Sequence, residues 1–239
     1  MNILNLFCVV ICFCASLNAQ TYKFVYTQHE DSLSIIEESL NMGNTQESAE
    51  REAYQKRHLE WYSVYYNNKQ SKVQFDSIIH KDKKYKKSKR VSSESYTQYF
   101  DFIKKEVYFT DDSVAPNKIA KKTMLNKKWD FSDKTIYEVN HLKCRKAKLE
   151  DSRDECFVWY SIDIPIDCGF YQYTGLPGLI VKITQRDRYI CNLVKIEQLD
   201  NPVEIIPLKT RTFIPYEEFQ VNFENHVLQR LGFQPRPRK

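Results

Sequence analysis

The side chains with the most chemistry to offer are seven cysteines: Cys8, Cys12 and Cys14 near the start, then Cys144, Cys156, Cys168 and Cys191. A thiol can ligate zinc, attack an electrophile or close a disulfide, and spacing separates these roles. The chain has no Cys-x-x-Cys pair, and the nearest histidine, His141, stands alone three residues before Cys144. Zinc, which takes four such ligands, is therefore not expected. A nucleophilic Cys168 beside Gly169 competes with oxidation to a disulfide in an exported chain, and oxidation is favoured. The carboxylates Asp111-Asp112 and Asp163 with Asp167 show no spacing that sets two acids over one substrate. His29, His58, His80, His141 and His226 are scattered singly, and no Gly-x-Ser-x-Gly elbow accompanies them. The reading is a non-enzymatic chain with no cofactor; the alternative is an envelope hydrolase using polar loop residues.

Compartment follows from the first residues. Met1 to Ala19 carry no charged side chain, are apolar from Ile3 to Ala15, and end on a small residue before Gln20. Such a stretch is too short to span a bilayer and has the pattern of a cleaved secretory signal. The expected organisation is a signal peptide over 1–19 and a single domain over 20–239, without a transmembrane segment in the mature chain. Export crosses the inner membrane and leaves the protein in the periplasm or at the cell surface.

The formal net charge of +5 belongs to the mature part, and Lys81 to Arg90 concentrate it in a basic loop expected to be mobile near 81–95. That run reads as a solvated loop, and nucleic acid is not an expected partner. Four cysteines after processing read as two disulfides. Of three connectivities, Cys144–Cys156 with Cys168–Cys191 is favoured, because a hairpin turning near Glu150 sets the first two across from each other.

The elements that must position these residues are mostly strands. Tyr22, Phe24 and Tyr26 alternate with polar neighbours, Trp61 to Tyr66 and Ser71 to Ile79 flank an Asn67–Gln70 turn, and Tyr96 to Ile103 precedes Glu106 to Thr110. A hairpin over Leu142 to Ile164 and a meander over Leu179 to Glu197 follow. Tyr216, Phe219, Phe223, Val227 and Leu231 recur at helical spacing, with Pro215 before them and Gly232 after. A further short helix is expected over Thr45 to Arg57. The fold class expected is α+β, mostly antiparallel β: a curved meander sheet or half-barrel with a C-terminal amphipathic helix packed on it.

The remaining signals are aromatic residues and one turn. The chain holds 16 Tyr, 14 Phe and 3 Trp, and Trp159, Tyr160, Tyr171 and Tyr173 are the candidates for a ligand or partner surface. In Gly175-Leu176-Pro177-Gly178-Leu179-Ile180, proline presets φ and Gly178 can take φ > 0, which suits the centre of a type II turn ahead of a buried strand.

That six-residue run is the name-giving motif of the GLPGLI family of exported Bacteroidetes proteins of unestablished function, which the chain resembles from about Trp129 to Glu197. Trp159-Tyr160, Ile164-Pro165-Ile166, Gly169, Ile136 and Cys144-Arg145-Lys146-Ala147 carry the rest of the resemblance. His141-Leu142 stand where the pattern commonly has Gly-Tyr, and Phe170 replaces a common proline. The resemblance implies a cell-envelope protein and supplies no active site. The expected role is a binding or envelope-associated module for an apolar or amphipathic ligand or an envelope protein, a structural surface role being a further alternative.

Overall fold

A computed structural model describes residues 20–30, 58–80, 96–152, 155–171, 173–185, 189–201, 203–230 and 234. The signal peptide expected over 1–19, the helix expected over Thr45 to Arg57 and the mobile basic loop expected near 81–95 lie outside these residues. Strands come in the order β1 (Thr21–Glu30), β2 (His58–Asn67), β3 (Gln70–His80), β4 (Thr97–Asp101), β5 (Glu106–Thr110), β6 (Lys118–Thr123) and β7 (Trp129–Asp130). After them come β8 (Tyr137–Val139), β9 (Leu142–Leu149), β10 (Cys156–Ser161), β11 (Ile180–Gln185), β12 (Tyr189–Leu199), β13 (Thr212–Ile214) and the helix α1 (Tyr216–Arg230). Among the described residues all thirteen strands join one sheet, ordered β13-β6-β5-β4-β3-β2-β1-β12-β11-β10-β9-β7, with β8 on β9. The class is mostly β, not α+β, because among the described residues one helix accompanies this sheet.

Local chemistry accounts for the meander. β2 and β3 are joined by Asn68 and Lys69, both at positive φ (47° and 61°), the conformation of a type I′ turn that matches strand twist. Only β13 on β6 pairs parallel among the described strands. The opening strand β1 is central: it lies between β2 and β12, so the two halves of the meander close around it.

Bulges at Val25/Tyr26, Trp61/Tyr62 and Trp159/Tyr160 bend the sheet. Seven strand spacings separate β6 from β11, about 33 Å in a flat sheet. Lys122 on β6 and Ile183 on β11 nevertheless line one cavity, so the sheet is curved, and it is not closed. Its concave face carries the main core, including Phe24, Tyr26, Tyr62, Val64, Phe100, Phe109, Val158 and Val181. A smaller cluster of Tyr99, Tyr108, Ile119, Ile205 and Ile206 covers part of the other face. Its strap is tied down where Arg211 grips Asp112 with two nitrogens at 2.6 and 2.9 Å.

Between β10 and β11 the chain does not turn at once; it lies across the concave face as a plug. Gly178 makes this return possible by close approach, not by a positive φ. A Cβ on Gly178 would sit 1.9 Å from the Ser161 carbonyl oxygen. The left-handed conformation falls instead on Gly175 (φ 84°) and Gly169 (φ 62°), which corrects the type II turn expected at Pro177-Gly178. Ser161 N–H donates to Leu179 O (2.8 Å) and Leu179 N–H to Ile164 O (2.9 Å), clamping the two ends of the plug together. Leu176, Leu179 and Ile180 are buried, and Pro177 is exposed.

Inside the plug, Asp167 accepts from Gly175 N–H (2.7 Å) and Gly169 N–H (3.3 Å). Burial nevertheless raises its carboxyl from the ordinary 3.8 to about 6, against the pull of those two donors and Lys69. The Ser71 hydroxyl donates to Cys168 O, Trp129 Nε1 donates to Thr174 O (2.9 Å), and Tyr26 OH donates to Ile180 O (2.8 Å).

The four cysteines are buried free thiols. The Cys144–Cys156 bridge fails on register: Cys144 faces Ser161, and the same pairing continued puts Cys156 level with Leu149. Five positions along a strand is about 17 Å, beyond disulfide reach. The turn centres two to three residues later than Glu150. Cys168 and Cys191, expected to pair, also remain thiols; both act on Tyr26.

Two outcomes follow for the plug. Gly178→Ala should cost about 3 kcal/mol by overpacking against backbone, a fall in Tm of about 9 °C for a chain this size. Gly175→Ala, whose Cβ would meet only Trp129 Nε1 at 3.8 Å, should cost about 1 kcal/mol of left-handed strain. Equal melting of the two variants by circular dichroism would refute the close-approach account. The folded Asp167 carboxyl titrates above its unfolded value, so the native state binds the proton more tightly. The stability this lends is complete below about pH 4 and is lost as pH rises through about 6. Wild type should therefore lose ground to Asp167→Asn between about pH 4 and 7 in urea titrations; parallel pH profiles would contradict it.

Candidate functional site

The plug leaves the concave face incompletely filled. A cavity of about 500 Å³ opens beside it, lined by Gln28, Gln98, Phe109, Lys122, Ile183, Gln185 and Cys191 from the sheet. Phe170, Tyr171 and Tyr173 of the plug, Tyr96 and Tyr216 complete the wall. A second space of about 470 Å³ shares Gln28, Tyr96, Phe109, Tyr171 and Tyr216 with the first. It runs on between Tyr62 and Phe75 of the sheet and Phe219, Gln220 and Phe223 of α1.

Each wall is placed by a separate device. A tight exchange between Phe170 and Tyr173, N–H to O at 3.0 Å in both directions, turns the plug so that both tyrosines face the space. The Phe170 ring sits 4.8 Å from Tyr26 and 5.8 Å from Tyr62, anchoring that turn to the core, while Tyr171 meets Tyr62 edge-on at 5.5 Å. Tyr173 OH donates to Gln185 Oε1 (3.1 Å). On the far side, Glu217 and Glu218 stand in the first turn of α1, where the helix dipole favours acids. Its first two turns dock by Tyr216 and Phe219 against Phe109 (5.0 and 6.2 Å) and Phe223 against Tyr96 (5.5 Å).

The electrostatics are those of a neutral, aromatic space with one cation. Burial raises Tyr96 well above the usual phenol range, Tyr171 and Tyr216 adding to the rise. Burial likewise pushes the Cys168 and Cys191 thiols far up, so neither presents a thiolate at neutral pH. Neither cavity lining includes an Asp, Glu or His among the described residues, and none of these residues form a three-ligand metal cluster.

The structure does not gather the four aromatic residues singled out in the sequence. Tyr171 and Tyr173 line the cavity. Tyr160 is buried against Phe131 (6.0 Å, edge-on), with Arg145 opposite it on β9. Trp159 points to the opposite face of β10, under Lys146 and Lys182 at 5.4 and 5.0 Å from its ring. Sequence reasoning missed Gln28, Gln98, Lys122 and Tyr216 as neighbours. Gln98 carried a usable signal: it shares the strand parity of Tyr96 and Phe100, an amide among core-facing rings.

Two solved structures share this fold, the structure of PNGF-II in the C2 space group and in the P21 space group. Their TM-scores to this chain are 0.55 and 0.53 at 11% and 13% sequence identity. Each match covers 87% of this chain but 33% and 34% of the other, so this chain spans about a third of the length of those structures. No curated protein matches the chain. A family model described as a protein of unknown function (Porph_ging) matches residues 18–182, a span that runs from before β1, through the plug, into β11. The chain belongs to the Porph_ging family, a family of unknown function.

Proposed function

We propose that the protein is an exported, non-enzymatic binding module of the cell envelope that holds an amphipathic small molecule between the concave sheet, the plug and α1. The observation that carries this reading is the aromatic chamber itself. Its volume of about 500 Å³ falls in the range of small-molecule sites, roughly 300–1,000 Å³. Its wall has the composition of such sites, rings for area and a few convergent polar groups for orientation.

Gln98 strengthens the reading. Its side chain is 8% exposed and faces the chamber. Its amide supplies the chamber wall with both a hydrogen-bond donor and an acceptor. Export rests on the uncharged apolar leader over 1–19. Among the described residues the chamber wall holds no Asp, Glu or His, the side chains that the envelope-hydrolase alternative needs.

Gln98→Trp should fill the chamber from inside with little effect on melting. Native mass spectrometry of the mature protein purified from its own envelope should then show a retained small-molecule mass in wild type and none in the variant. A bare wild-type mass would refute the binding reading.

A further inference from the structure

The chamber is chemically divided. At one end Lys122 projects from β6, its Nζ 4.5 Å from the Tyr216 ring centroid and 5.0 Å from that of Phe109. It donates to Tyr216 OH at 3.2 Å, which uses one of three ammonium donors. The neighbouring Lys121 points to the other face and pairs with Glu106 at 2.8 Å. Lys122 has no carboxylate partner among the described residues, and it is the one charged side chain lining either space. Gln98 adds an amide to the wall of the same space, and Tyr96 and Tyr171, which line both spaces, add phenols where the two meet. At the other end Tyr62, Phe75, Phe219 and Phe223 form a wall of rings, with Gln220 beside them.

We infer that the chamber selects an amphipathic anion, with a carboxylate-type headgroup at Lys122 and Gln98 and an apolar tail along Phe219 and Phe223. This rests on the binding reading above and specifies its ligand class. Two aromatic faces hold this half-buried cation at the chamber. An anion entering there meets a positive charge in a space poorer in water than the surface, where charge-assisted hydrogen bonds are about twice as strong as neutral ones. A cationic head would bring like charge to Lys122, and a neutral head would leave the ammonium uncompensated.

Calorimetric titration of the mature chain with dodecanoate, dodecanol and dodecyltrimethylammonium separates these cases, since the tail is constant. Dodecanoate should bind about tenfold or more tighter than dodecanol, and the cation weakest. Lys122→Met should weaken dodecanoate by about tenfold and leave dodecanol unchanged, while Lys122→Arg, which keeps the charge, should retain most of the preference. Equal binding of dodecanoate and dodecanol, or a Lys122→Met chain that still prefers dodecanoate, overturns the headgroup assignment and leaves the chamber reading standing. Binding of none of the three overturns both. The melting temperature of each variant shows whether it is folded, and Lys122→Arg carries the test if the methionine variant is not.

Discussion

The approach of Gly178 to the carbonyl oxygen of Ser161 is the constraint on which the rest of the molecule hangs. No side chain fits between them, so the end of β10 and the start of β11 are held at backbone contact while the chain between them makes its excursion. That contact fixes where β11 begins, and Ile180 at its first position receives the Tyr26 hydroxyl from the central strand. The clamp therefore ties the β9–β12 half of the sheet to β1. It also throws residues 162–179 onto the concave face, where they become both core and chamber wall.

The plug is a polar object in an apolar place, and it survives there because its backbone groups are answered. Asp167 serves two N–H groups, Ser161 Oγ accepts from Asp163 and Ile164 N–H at 3.2 and 3.3 Å, and Ser71 and Trp129 reach in from other strands. Networks of this kind specify a single arrangement, since leaving one member unmet costs more than the pair contributes. Rigidity on this side leaves α1 as the adaptable wall. It docks by its first two turns, with Phe219 buried and the residues beyond it half-buried or exposed.

How far this was legible from residues alone depended on whether the deciding interactions were local. The Asn68-Lys69 turn, the alternation of Tyr22, Phe24 and Tyr26, and the Tyr216 to Phe223 spacing are local, and the corresponding elements stand where expected. Lys118–Thr123 was assigned no element from its residues but forms β6, because Ile119 and Ala120 are both fully buried, on opposite faces of a sheet only the tertiary fold supplies. The central place of β1 rests on pairing with residues about 170 positions away, which no periodicity reports.

The candidate site was half legible. Tyr171 and Tyr173 carried an aromatic signal and do line the chamber, but Trp159 had the same signal and the opposite strand parity. Trp159 lies between the buried Val158 and Tyr160, so regular alternation along β10 turns it outward. The Cys144–Cys156 expectation failed on register: a turn displaced by two to three residues moves every cross-strand partner. Lys122 was out of reach, since nothing in Lys121-Lys122 distinguishes the solvated lysine from the one facing inward until the strand exists.

The chamber between the plug and α1 is proposed to hold an amphipathic ligand in the working protein. A crystal structure of the mature chain purified from its own envelope, without added ligands, puts this to the test. Electron density for a non-protein molecule is expected between Tyr171 and Tyr216, with its polar end at Gln98 and Lys122. Side chains of Tyr96, Tyr171 and Tyr216 collapsed together, leaving no enclosed density, would contradict it.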